Sequence, residues 1–261
     1  MGLGKKLIGL LAIVLVVGCT QSDGQQEQQE KKDWALALHG GAGAISEDRP
    51  DSVKQAYFDD LDEALTIGED ILSNGGSAED AVEKVINYLE DNPRFNAGKG
   101  AVFTHDGEHE LDAAFMIGNT REAGAVTGVK TVKNPITLAR KVMETSEHVM
   151  FATEGAERYA DKVGVERVDQ DYFYTESRYK ALQRALEREK EDDGKQSSLV
   201  PNEDKTALYA DGDKFGTVGC VAVDKNGQIV AGTSTGGMTN KKFGRVGDVP
   251  IIGSGTYASD V

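Results

Sequence analysis

The chain has 261 residues, 39% of them hydrophobic, with 31 glycines, which is the size and make-up of one large layered domain rich in tight turns. A formal net charge of −15 excludes a general electrostatic grip on nucleic acid. Two cysteines are too few for a disulfide scaffold or a four-cysteine zinc site.

The N-terminus comes first. Lys5 and Lys6 precede an apolar run, Leu7–Val17, that is too short for a stable bilayer span but suits the h-region of an export signal. Val16-Val17-Gly18-Cys19 follows and resembles the bacterial lipobox, which implies cleavage before Cys19 and lipidation of its thiol. A plain signal peptide with a chance cysteine is the alternative. Residues 1–18 are therefore expected to be a lipoprotein signal and residues 19–33, polar and poor in apolar side chains, a tether. Several acyl chains hold a protein stably on a bilayer where one does not. The expected location is outside the cytoplasmic membrane, anchored by lipid and facing the periplasm or exterior. Cys220, flanked by Val, Gly and Ala, is expected to be a buried strand residue.

Trp34–His39 alternates like a strand and runs into the glycine turn His39–Gly43, which lacks the Gly-Lys-Ser/Thr ending of a phosphate loop. Helical spacing of apolar residues predicts helices over Ser52–Leu72 and, after an N-cap at Ser77, along Ala81, Val82, Val85, Ile86 and Leu89. Strand-like runs follow at Gly100–Thr104, Glu110–Ile117 and Ala123–Val132. Helices are predicted over Ile136–Glu144, Ala152–Lys162 and Ser177–Glu191. Glu187–Gly216 is dense in charged residues, Ser and Gly and predicts a mobile surface linker. Two strands, Thr217–Val223 and Gln228–Thr235, are joined by Asp224-Lys225-Asn226-Gly227, a strong hairpin signal. His105 and His109 straddle Asp106-Gly107, a turn, which does not set them on one helix face as a metal pair.

The linker ends abruptly at Gly216-Thr217. A threonine hydroxyl needs an adjacent base to act as nucleophile, and an N-terminal threonine carries one in its own α-amine. That amine has a reference pKa of about 7.7–8.0, so a useful fraction is neutral at physiological pH. Composition alone also allows Thr217 simply to open a strand.

Seven segments then occur in order: HGGAG (39–43), NPRFNAGKGAVFT (92–104), HELDA (109–113), AGAVTGVKTVKNP (123–135), FGTVGCVAVD (215–224), GTSTGGMTNK (232–241) and GRVGDVPIIGSGTYA (244–258). Together they resemble the isoaspartyl peptidase/L-asparaginase family, the plant-type asparaginases among the N-terminal-nucleophile hydrolases, from Trp34 onward. The resemblance implies an α+β fold, a four-layer αββα sandwich, and a precursor that cuts itself at Gly216–Thr217. Residues 34–216 would form the first subunit and 217–261 the start of the second. Thr217 would be the nucleophile, with Thr235 hydrogen-bonding it; on composition Thr235 is an ordinary strand-end residue. Arg245 and Asp248 match the pair that grips the amino-acid end of the substrate, Arg as a planar fork for a carboxylate and Asp as acceptor for an ammonium. Spacing alone would make them a local surface ion pair. Asn96 matches a residue lining the site, and is otherwise a turn asparagine.

The resemblance further implies a structural sodium ion held by the backbone carbonyls of Leu89, Glu90, Asn92, Phe95, Ala97 and Lys99, and no cofactor for catalysis. The implied substrates are β-aspartyl dipeptides and L-asparagine, and the implied assembly is a dimer of cleaved protomers. Against the family pattern, Ile117 stands where Asp is usual. The chain also stops at Val261 before the Thr-Gly stretch that supplies oxyanion donors, so the expectation is a C-terminally truncated member. Two alternatives stand beside this reading: a glycosylasparaginase-like hydrolase acting on GlcNAc–asparagine, and an inactive lipoprotein keeping the front half of the fold.

Overall fold

The computed structural model describes residues 33–41, 50–195 and 216–260. The lipobox, the lipidation site Cys19, most of the tether and the central part of the predicted linker lie outside the described residues.

Six strands form one mixed sheet: β1 (Ala35–His39), β2 (Leu111–Ile117), β3 (Ala123–Val129), β4 (Met150–Ala152), β5 (Val218–Val223) and β6 (Ile229–Thr235). Their order is β1-β5-β6-β2-β3-β4, antiparallel throughout except for the parallel β3–β4 pair. Strand alternation divides the sheet into two faces. Leu111, Ala113, Phe115, Val126, Val218, Cys220 and Val230 point into the main core. Met116 and Ala231 point the other way, where Ala258 covers them.

Helices α1 (Asp51–Ser73), α2 (Ala78–Asp91) and α3 (Pro135–Thr145) close the core face. The second of these shows how sequence becomes packing. Ser77 Oγ accepts from Asp80 N, fixing the first turn. Ala81, Val82, Val85, Ile86 and Leu89 then recur on one side and are wholly buried. Each buried Val, Leu or Ile contributes about 1.5–3 kcal/mol relative to exposure. Helix α4 (Thr153–Val163) ends at Gly164 in the left-handed conformation, φ 73°. The final helix, α5, spans Glu176–Lys195. The fold is α+β as expected, and the described residues supply one helical layer and one sheet layer.

The β5–β6 hairpin sets the geometry that matters. Asp224 Oδ1 accepts from Asn226 N (2.8 Å) and Gln228 N (3.2 Å), while its Oδ2 accepts from Ala78 N at the start of α2 (3.2 Å). Gly227 takes φ 81°, the left-handed geometry for which the Asn-Gly pair was suited. The turn thus fixes a register of Val223 opposite Ile229 and Val218 opposite Ser234. Continued one residue further, that register sets Thr217 across from Thr235.

Three sequence expectations require correction. Gly100–Thr104 is not a strand: Gly98–Gly100 is a 3-10 turn, and the Val102 amide bonds to the Asn96 side chain, not to a ladder partner. The predicted linker over Glu187–Gly216 begins too early, because α5 continues to Lys195 and Glu189 accepts from Asn240 Nδ2 at 3.1 Å. Strand β4 has no expectation to match it, since at three residues it is too short to show a period. Cys220 is buried as expected, and burial pushes its thiol up to about 12. Ile117 joins the main core, opposite Val230 of β6.

Candidate active site

Thr217 and Thr235 meet at the end of the hairpin. Thr217 Oγ1 donates to Thr235 Oγ1 at 3.3 Å. Thr235 Oγ1 donates in turn to the Gly216 carbonyl at 2.8 Å and accepts from Gly237 N at 2.9 Å. A second donor reaches the same carbonyl: Asn96 Nδ2 lies 3.0 Å from Gly216 O and 2.8 Å from Gly237 O. Asn96 is buried and its Oδ1 accepts from Val102 N at 2.9 Å, so no rotation of the amide is free. The carbonyl preceding Thr217 is therefore polarised by two fixed donors beside a hydroxyl. That is the arrangement acyl transfer needs, donors aimed where negative charge develops.

Close packing explains the glycine before Thr217. A Cβ at Gly216 would stand 2.8 Å from Asn96 Cβ, so any side chain there would push the amide away from its carbonyl. The first glycine turn also abuts the bond. A Cβ on Gly41 would lie 3.4 Å from Gly216 Cα and 3.7 Å from Thr217 N. His39 hydrogen-bonds the Thr217 backbone, and burial lowers its pKa. The turn near the site thus borders the Gly216–Thr217 bond itself.

Behind the site, Glu90 is fully buried at the end of α2. Its Oε1 accepts from Ser234 Oγ at 2.6 Å and from Ile136 N at 3.0 Å, tying α2, α3 and β6 together just before Thr235. Burial raises its pKa to about 8. The backbone of the same region is crowded: a Cβ at Gly98 would stand 2.3 Å from Glu90 O, and one at Gly100 would stand 2.0 Å from Phe95 O.

Not every expected residue gathers equally. Gly216, Thr217, Thr235 and Asn96 are in direct contact. Arg245 and Asp248 lie on the exposed loop after β6, and no ion pair joins the two side chains. Arg245 is nevertheless aimed at the site, its Nη1 lying 3.7 Å from where a Cβ on Gly237 would be. Leu89 and Glu90 lie at the end of α2, Asn92 and Phe95 in the loop before Asn96, and Ala97 and Lys99 just after it, Lys99 within the 3-10 turn. His105 Nδ1 lies 2.8 Å from Asn240 Oδ1, whereas His109 is buried against Phe103.

Sequence reasoning missed Lys241, buried beneath Gly237, and the Gly237 amide that orients Thr235. Both lie inside the GTSTGGMTNK segment, so the signal was present without a structural reason attached to it.

The chain is similar to known proteins over most of its length. The family model described as Asparaginase matches residues 32–261. The isoaspartyl peptidase of Escherichia coli K12 is 46% identical over 226 residues, covering 86% of this chain and 68% of that protein. A plant-type L-asparaginase of Pyrococcus horikoshii is 46% identical over 228 residues, covering 87% and 71% respectively. A probable isoaspartyl peptidase/L-asparaginase 2 of Arabidopsis thaliana is 42% identical over 243 residues, covering 87% and 72%. With a doubly polarised Gly216 carbonyl just before β5 and a family match across every described residue, the chain belongs to the Asparaginase family of N-terminal-nucleophile hydrolases.

Proposed function

We propose that this chain is a threonine amidohydrolase that cuts itself at Gly216–Thr217 and then hydrolyses β-aspartyl dipeptides and L-asparagine to aspartate. The observation that carries this reading is the Gly216 carbonyl, which accepts from both Thr235 and Asn96 while the Thr217 hydroxyl touches Thr235. In the precursor, Thr217 Oγ1 attacks the Gly216 carbonyl carbon. Its proton passes to Thr235 Oγ1 as that hydroxyl hands its own to the carbonyl oxygen. The intermediate collapses with proton transfer to nitrogen, the C–N bond breaks, and an ester joins Gly216 to Thr217 Oγ1. Water opens the ester, leaving a Gly216 carboxylate and a Thr217 with a free hydroxyl and a free α-amine.

The α-amine then takes the hydroxyl proton as Thr217 Oγ1 attacks the side-chain carbonyl of the substrate. Ammonia or an amino acid leaves with that proton, and water releases aspartate from the acyl-enzyme. Arg245 takes the α-carboxylate of the substrate and Asp248 its ammonium. The names of the relatives fall in the isoaspartyl peptidase and asparaginase branch, which favours these substrates over GlcNAc–asparagine.

Purified protein should resolve into two fragments on a denaturing gel, the second beginning Thr-Val-Gly-Cys, and should release ammonia from L-asparagine. Thr217→Ala should abolish both. An uncut wild-type chain, or turnover surviving Thr217→Ala, would overturn the assignment.

Three further parts belong to the proposal. A sodium ion steadies the loop that carries Asn96 through the carbonyls of Leu89, Glu90, Asn92, Phe95, Ala97 and Lys99. The crowding of the Glu90 and Phe95 carbonyls against Gly98 and Gly100 supports it. Replacing sodium by choline should lower the melting temperature, and an unchanged value removes the ion. Residues 1–18 direct export and Cys19 carries lipid, supported by Lys5, Lys6, the apolar run and the lipobox; fatty-acid labelling lost in Cys19→Ser tests it. The cleaved protomers pair as dimers, to be read from the mass in solution.

A further inference from the structure

Lys241 is a charged side chain in a place where charges are rarely left. Only 3% of it is exposed. Its Nζ donates to the Glu110 carbonyl at 2.9 Å and lies 3.7 Å from the Glu110 carboxylate. Its backbone is pinned as firmly, with Lys241 N bonded to Met238 O at 3.1 Å and Lys241 O accepting from His105 N at 2.9 Å. The ammonium cannot swing out to water without breaking these contacts.

What this cation faces is Gly237, the residue whose amide orients Thr235 and whose carbonyl holds Asn96. A Cβ there would lie 3.2 Å from Lys241 Nζ and 3.7 Å from Arg245 Nη1. Two cations from one short loop thus lie close to the open side of Gly237 at the edge of the site. Like charges at such range repel unless anions stand between or beside them. Asp112 stands opposite Thr235 in the β2–β6 register and acts electrostatically on Lys241 together with Glu110. Asp112 is already committed through Oδ1 to Thr127 Oγ1 (2.7 Å) and Gly128 N (2.9 Å). The carboxylates that act on Lys241 therefore come from β2 and the residue before it, while Arg245 is the second cation near Gly237.

We propose that Lys241 is a positioning residue for substrate, a fixed second positive charge beneath Gly237 that works with Arg245 to hold the carboxylate end of the amino-acid substrate. It touches no reacting atom. Its effect falls on binding more than on the chemical step, because the charge it faces is the same in ground and transition states. The inference rests on the proposed amidohydrolase function.

The test is steady-state kinetics on self-cleaved protein. Lys241→Met keeps the apolar stem and removes the charge; KM for L-asparagine should rise about tenfold, with kcat within twofold and self-cleavage complete. Lys241→Arg should return KM to within about threefold of the wild type. In both proteins the inhibition constant of L-aspartate should move in parallel with KM. Unchanged KM in a fully cleaved Lys241→Met protein overturns the proposal, as does a parallel loss of kcat, KM and cleavage that Arg does not rescue, since that marks a merely structural tie. Should Lys241→Met fail to fold, Glu110→Gln decides. It keeps the carbonyl that anchors Nζ and removes a counter-charge, so KM should fall; a KM unchanged or raised overturns the proposal. Failure of the wild-type chain to cleave or turn over would instead sink the underlying function, so the two failures are distinguishable.

Discussion

Asn96→Asp is the most informative single change. The substitution keeps size and shape, and Asp Oδ1 still accepts the Val102 amide at the 2.9 Å now seen for Asn96. What it removes are the two donations from Nδ2, to Gly216 O at 3.0 Å and Gly237 O at 2.8 Å. One of the two donors on the Gly216 carbonyl is lost, and a single oxyanion donor is worth about 100- to 1,000-fold in rate. Thr235 remains as the other donor, so cleavage slows by that factor without stopping. A carboxylate facing two carbonyl oxygens in a buried site is held protonated to higher pH than usual, and the protonated form regains one donor. Cleavage of the variant should therefore quicken as pH falls, in contrast to the wild type. The assay is the appearance of the two fragments on denaturing gels over time, across a pH series, with circular dichroism as the check on folding. A well-folded Asn96→Asp protein that cleaves at the wild-type rate would refute the oxyanion role and leave Asn96 a turn residue.

Other changes test the scaffold. His109 is buried with its Nδ1 on the Val102 carbonyl at 3.2 Å, and burial lowers its pKa to about 4. Because the folded value lies below the unfolded one, its contribution is fully present above about pH 6.5 and is lost as pH falls toward 4, by about 3 kcal/mol in all. Urea unfolding of wild type and His109→Phe across that window should show a shallower acid slope in the variant; parallel slopes would reject the argument. Gly98→Ala forces a side chain at φ 49° and into the Glu90 carbonyl, 2.3 Å away, and should cost about 2–4 kcal/mol and loosen the Asn96 loop. Its melting temperature should drop and self-cleavage slow with it. Asp224→Ala leaves the amides of Ala78, Asn226 and Gln228 without their acceptor. A loss of about 2–4 kcal/mol in urea denaturation is expected, together with slower cleavage, because the hairpin register brings Thr217 to Thr235.

Much of this molecule could be read from its residues in order. Helical spacing of apolar residues places α1 to α4, because one face of each is packed on the core and the other is not. Strands β1, β2, β3, β5 and β6 are marked by short apolar runs between turn residues, β2 being buried along its whole length. Asn226-Gly227 marks the hairpin because few other residues tolerate its geometry. Thr217 is singled out by the seven ordered segments that resemble a family, since on composition alone it would simply open a strand. The remaining features depend on partners far away along the chain. Asn96 becomes a donor to Gly216 only because a loop 120 residues earlier folds against the hairpin. Lys241 reads as an ordinary surface lysine until the fold buries it beneath Gly237. Composition marks Glu187–Lys195 as linker, yet α5 continues there, with Glu189 bonded to Asn240. Sequence determines which chemistry a residue can perform and which face of its own element it lies on. Distance between residues remote in the chain is set by how helices and sheet close on a common core, and no local pattern encodes it.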